Sequence, residues 1–77
     1  NDARSHESAL KQLNDDENLG KRFRLTVREG FGEPIIITAS FHGKTPGRNQ
    51  YCFYSEDHPD NRFPNYMASQ IIRADKA

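Results

Sequence analysis

Three histidines, His6, His42 and His58, and one cysteine, Cys52, are the side chains of this chain best suited to proton transfer, nucleophilic attack or metal binding. Their spacing does not suit a metal, because no His or Cys pair falls at the short intervals that zinc sites use. Asp57 beside His58 has the makings of an oriented general base. The run Asp57-His58-Pro59-Asp60-Asn61 is turn chemistry, however, and there a histidine reads as an exposed loop residue. Cys52 stands in an apolar run that reads as strand, which makes it a buried structural thiol. As the only cysteine it closes no internal disulfide, so the redox compartment stays open. There is no glycine-rich phosphate loop of the Walker or Rossmann spacing. No cofactor and no metal is expected.

Charge points to a different chemistry. The net charge is zero, which excludes a uniformly basic nucleic-acid binder. The distribution is uneven: residues 1–20 carry two basic and five acidic side chains, whereas 21–48 carry six basic (Lys21, Arg22, Arg24, Arg28, Lys44, Arg48) and two acidic. A local cationic patch attracts phosphate even when the whole chain is neutral. An exposed strand face is also often charged for solubility alone.

These residues are positioned by short strands. Phe23, Leu25 and Val27 alternate with Arg22, Arg24, Thr26 and Arg28, the period of a strand with one face buried. Glu29-Gly30-Phe31-Gly32-Glu33 reads as a three-residue hairpin loop with Gly32 in the left-handed conformation. Pairing Glu29 with Glu33 sets Val27 opposite Ile35, Leu25 opposite Ile37 and Phe23 opposite Ala39. By the same logic Phe41 faces Tyr51 and Ala39 faces Phe53 across a loop at 43–49, where Pro46-Gly47 breaks two apolar runs. The expected core is Phe23, Leu25, Val27, Ile35, Ile37, Ala39, Phe41, Tyr51 and Phe53. The opposite face holds Arg22, Arg24, Arg28, Thr38, Ser40, His42 and Tyr54, with Ile36 and Cys52 as its apolar members.

Ala9, Leu10 and Leu13 give a helical stripe near 5–14, with residues 1–8 frayed. The segment 63–72 fits a last strand or a helix by periodicity, and we expect a strand. The chain is thus one α+β domain, 1–77: a short N-terminal helix packed on a small antiparallel sheet of about four strands. At 77 residues its core is thin. No stretch approaches the roughly 20 apolar residues of a membrane span.

In order along the chain, Gln12-Leu13-Asn14-Asp15-Asp16, Glu29-Gly30-Phe31, Pro34-Ile35-Ile36, Thr45-Pro46-Gly47 with Tyr51-Cys52-Phe53, and Asn61-Arg62-Phe63 leading into Tyr66-Met67-Ala68 resemble the fungal guanyl-specific ribonucleases, small secreted endoribonucleases. The similarity spans about residues 9–72 and rests on order and spacing, each match being short. It implies an acid/base pair and a phosphate-binding arginine, and here those positions are vacated. The first catalytic histidine falls on Phe23 and the second on Ser69. The catalytic glutamate falls on Gly32, one place from Glu33, and the arginine on Gln50, near Arg48. The helix-end cystines usual in that family are missing too. Only the base-recognition glutamate is matched, as Glu29. Such a pattern resembles the ribonuclease-like secreted effectors of plant-pathogenic fungi, which keep the fold and lose the catalysis.

The reading that follows is a secreted, monomeric, non-catalytic module of ribonuclease-like fold. It binds RNA or a host protein, with Arg22, Arg24, Arg28, Glu29 and Arg48 as the expected RNA-binding residues. A protein-interaction or inhibitor domain without that ancestry is the alternative, and a weak ribonuclease using Glu33, Arg48 and His58 is a third.

Overall fold

Alternation sets β1 (Arg22–Val27): Phe23, Leu25 and Val27 are fully buried while Arg22 and Arg24 are exposed. It pairs with β2 (Ile35–Thr45) in the expected register, Val27 opposite Ile35, Leu25 opposite Ile37 and Phe23 opposite Ala39. Between them the turn is made at Gly30, which takes φ +65°, and not at Gly32. The computed structural model describes residues 2–47 and 49–77. Its remaining elements are α1 (Asp2–Leu13), a 3₁₀ turn at Asp16–Asn18, β3 (Gln50–Tyr54), β4 (Asn65–Met67), a 3₁₀ turn at Ala68–Gln70 and β5 (Ile71–Lys76). The strands form one antiparallel sheet in the order β4-β3-β2-β1-β5. The expected α+β class holds with five strands in place of about four, because the 3₁₀ turn divides the 63–72 segment and sends its halves to opposite edges.

β2 continues past Phe41, where the loop at 43–49 was expected, to Thr45. The strand bends where Phe41 pairs with Phe53 but Gly43 with Cys52, leaving His42 as the extra residue of a bulge. Gly43 sits there at φ +106°, and a Cβ on it would lie 3.3 Å from Leu19 Cδ2. The expected Phe41–Tyr51 and Ala39–Phe53 pairs do not form, Tyr51 pairing instead with Lys44. Hydrophobic patterning reports only which face a residue takes, so a slip of two leaves every inward residue inward and is invisible to it.

The sheet also curls as a whole. Four residue steps, at most about 15 Å of chain, carry Met67 on β4 to Ile71 on β5. Laid flat, the two edge strands would be about 19 Å apart. Curling encloses Phe23, Leu25, Val27, Ile37, Ala39, Phe41, Tyr51 and Phe53 as expected, and adds Tyr66, Ile71 and Ala74 from the last two strands. Ile35, at a strand end, is only half-buried.

α1 lies along β5 and closes the core with Ala9 and Leu13. It starts at Asp2, so the frayed segment expected over 1–8 is helical from residue 2. Contacts distant in sequence account for this. His6 Nδ1 donates to the Ile71 carbonyl (2.7 Å) and Gln12 Nε2 to the Ala74 carbonyl (3.0 Å), both on an edge strand. A 12-residue helix is marginal alone, and these bonds together with its buried stripe hold it. Its C-terminal end is tied by Asn18 Nδ2 donating to the Gln12 carbonyl and by the Tyr51 hydroxyl donating to Asn14.

Gly43→Ala should cost about 1–3 kcal/mol through strain at positive φ and the contact with Leu19. Gly47→Ala, at φ +80° with open space around it, should cost less. Urea midpoints of the two variants measure the difference, and equal losses would remove the special role of the bend.

Candidate functional site: the outer sheet face and the Glu29 cluster

The outer face of the curled sheet gathers one set of candidate residues. Arg22 and Arg24 on β1 stand opposite Ser40 and Thr38 on β2, and Ser40 stands opposite Tyr54 on β3. A hollow of about 270 Å³ opens between them, bordered by Arg22, Thr38, Ser40, Tyr54, Glu56 and Asp57. The Tyr54 ring lies 5.2 Å from Phe63 and 6.4 Å from His42, centroid to centroid. Phe63 is 64% exposed and Ile36 65%, so the face presents aromatic and aliphatic surface beside its arginines.

Acidic groups temper that charge. Glu56 accepts from the Tyr54 hydroxyl (3.3 Å) and Asp57 lies on the rim of the hollow. On β5, Asp75 pairs with Arg24 in register and accepts from Arg73 Nε at 2.8 Å. An exposed pair of this kind adds little stability, at most about 1 kcal/mol. Its consequence is to set where positive charge is left over.

Of the five residues singled out in the sequence, the four that the structure describes do not assemble into one site. Arg22 and Arg24 share the outer face. Arg28 does not continue their row: β1 ends at Val27, and the ladder to β5 shifts register between Thr26 and Val27. Its amide donates to the Gln70 carbonyl, and it borders a separate hollow with Ala3, His6, Ser69, Ile71 and Ile72. Arg48 lies outside the described residues. Glu29 belongs to another cluster.

That cluster joins two loops to β4. Glu29 Oε2 accepts from His58 Nε2 at 2.8 Å and from the Tyr66 hydroxyl at 2.9 Å. His58, read from its turn as exposed, has a side chain only 4% accessible, while that of Glu29 is 41% accessible. His58 Nδ1 accepts from the backbone amides of Asp60 (3.1 Å) and Asn61 (2.9 Å). Two N–H groups aimed at Nδ1 leave no room for a proton there, which fixes the neutral tautomer with its hydrogen on Nε2. The hydrogen bond from His58, aided by that from Tyr66, holds the Glu29 carboxyl below the usual carboxylate range, against the opposing effect of partial burial. Burial, followed by the bond to Glu29 and its negative charge, pushes the Tyr66 hydroxyl well above the ordinary tyrosine range.

Chemically this is a clamp on a carboxylate. Glu29 is a weakened base, and the one lone pair of His58 able to take a proton is already occupied by amides. Glu33 is exposed and bonds to neither. The other positions where the resemblance would put proton transfer hold Phe23, in the core, and Ser69, in the 3₁₀ turn. Cys52 is half-buried on the outer side, its sulfur 2.9 Å from the Thr45 hydroxyl. Among the described residues no group of three or more metal-ligating side chains occurs, and no helix is long and apolar enough to cross a membrane.

Sequence reasoning missed Tyr66 as a partner of Glu29, since 37 residues separate them. One local signal did exist for His58. The amides two and three residues on are those an Asx side chain would cap, and His58 takes that part.

Comparison of the chain with protein-family models, curated proteins and solved structures finds no match.

A carboxyl with a depressed pKa in the folded state contributes stability above its unfolded value, near 4.5, and loses it as pH falls through the folded value. The stability advantage of the native protein over Glu29→Gln should therefore shrink below about pH 4.5. Tyr66→Phe should cost about 0.5–1.5 kcal/mol and move the Glu29 titration back up. Urea unfolding at a series of pH values and carboxyl NMR titration measure both. A pH-independent difference would show that the clamp does not act through the carboxylate charge.

Proposed function

We propose that the protein is a non-catalytic, monomeric module that binds single-stranded RNA on the outer face of its sheet. The observation that carries this is the placement of Arg22 and Arg24 on the far side of β2 from Tyr54, whose ring continues into exposed Phe63. Arginine contacts phosphate oxygens and stacks on bases, and aromatic platforms stack any base without regard to sequence. Glu56 and Asp57 repel phosphate from their side of the hollow, so the backbone runs along Arg22 and Arg24 while bases lie toward Tyr54 and Phe63. The hydroxyls of Thr38 and Ser40 lie between and suit sugar contacts.

The clamped Glu29–His58–Tyr66 cluster and the buried Phe23 support the absence of hydrolysis. The resemblance to secreted, inactive ribonuclease-like effectors agrees with this reading in kind, but Glu29 is engaged by His58 and Tyr66 and takes no part in it.

Binding of short single-stranded RNA should be weak, tolerant of sequence and steeply reduced by salt. The double substitution of Arg22 and Arg24 by Gln should lower the slope of log affinity against log salt by about 1–2. Tyr54→Ala should cost about 1–3 kcal/mol of binding. No cleavage of guanosine-containing RNA above a buffer blank is expected. Undetectable binding at low salt, or a double variant that binds like the native protein, would sink the proposal. A protein partner on the Ile36 and Phe63 surface would then lead. Turnover abolished by His58→Ala would favour a ribonuclease instead.

A further inference from the structure

The 55–64 loop places Phe63 beside Tyr54, and the loop is organised by one imidazole. Its base is fastened by Ser55, which is buried: Ser55 Oγ donates to the Thr38 carbonyl (2.8 Å) and accepts from the Asp57 amide, and the Ser55 amide donates to the Arg62 carbonyl (2.7 Å). Its tip is fastened by His58, through the Asp60 and Asn61 amides on Nδ1 and Glu29 on Nε2. Asn61 Oδ1 then accepts from the Phe63 amide at 2.9 Å, so the turn made by His58 is followed at once by the residue that stands over Tyr54.

We propose that His58 is a pH-operated latch: neutral, it holds the loop tip and Phe63 in place, and protonated at Nδ1, it releases them. A proton from solvent can enter only at Nδ1, since Nε2 already carries one. Once there it faces two backbone N–H groups that cannot accept it, so both amides must leave. Glu29 from the β1–β2 loop is bonded to the ring, Tyr66 from β4 shares that same carboxylate, and Asp57 and Asp60 are the ring's acidic neighbours along the turn. The imidazolium keeps its Nε2 bond to Glu29. Protonation therefore breaks the turn while the ring stays attached to Glu29. The strands keep their own ladders and do not depend on the turn, so opening is confined to the loop tip. Imidazoles as a class change charge between about pH 5 and 8, so the test spans that range.

The effect on RNA rests on the reading above: losing Phe63 from its place beside Tyr54 removes one stacking surface, so affinity falls as pH falls. His42, on the same face, acts in the opposite sense when protonated, because it adds positive charge. The experiment is therefore done with His42→Gln as the background.

NMR of the histidine ring nitrogens at about pH 7.5 should show Nδ1 unprotonated and Nε2 protonated in His58. As the ring titrates, the Asp60 and Asn61 amides should lose hydrogen-exchange protection and the Phe63 ring signals should approach those of a free side chain, with Leu25 and Phe53 unchanged. His58→Asn keeps an oxygen where Nδ1 accepts, so its loop should stay closed at about pH 5. Affinity for a single-stranded RNA probe should fall roughly tenfold between these pH values in the background protein and stay level in the Asn variant. A proton on Nδ1 at about pH 7.5, a titration that leaves both amides and Phe63 undisturbed, or a ring that never titrates while the protein stays folded would each overturn the latch. A pH-dependent Phe63 with no RNA binding at any pH would keep the latch and sink the binding reading.

Discussion

The bend in β2 at His42–Gly43 is the constraint on which the other features depend. An extra residue, His42, beside a glycine at φ +106° turns the strand without ending its pairing with β3. Turning carries β3 and β4 over the same core that β1 and β5 already face. Only then can a tyrosine on one edge strand reach a glutamate that follows β1, and only then can a few residues link two edge strands. The helix completes the enclosure where the curled sheet leaves β5 exposed, with His6 and Gln12 meeting its outer carbonyls. An edge strand covered in this way is also closed to pairing with other chains.

The curl separates two kinds of polar chemistry that the linear sequence mixes. Glu29 is drawn toward the enclosed side by Tyr66 and His58, whereas Arg22 and Arg24, a few residues earlier, stay on the outer side. Acidic residues share the outer face with these arginines, so a neutral protein presents a narrow cationic strip in place of a broad basic surface. Attraction on such a face acts over short range and weakens with salt.

The Glu29 cluster brings three titratable side-chain types into one hydrogen-bonded group. A carboxylate, an imidazole and a phenol within hydrogen-bond reach would attract notice in any cleft. Here each proton has a settled place: the phenol and Nε2 donate to one oxygen, and Nδ1 is occupied by amides. The cluster ties two loops to a strand.

Period-2 alternation and turn residues determined, from the sequence alone, the identity of β1, the register of its hairpin with β2, the inward set from Phe23 to Phe53 and the outward placing of Arg22 and Arg24. Those features depend on neighbours a few residues apart, where side-chain direction follows from backbone period. The ribonuclease resemblance was likewise drawn from order and spacing, and it stays with the proposal. The tertiary structure alone decided the β2–β3 register, because a two-residue slip preserves every face. It alone divided the last segment between two edges, since a strand's partner is chosen by the curl of the whole sheet. It also decided that residues 2–8 are helical and that His58 is enclosed, through bonds to β5 and to Glu29 that span tens of residues. A polar side chain gives no sequence sign of whether its partner is water or a distant carbonyl, and the free energy of those two choices is settled only when the chain has closed around it.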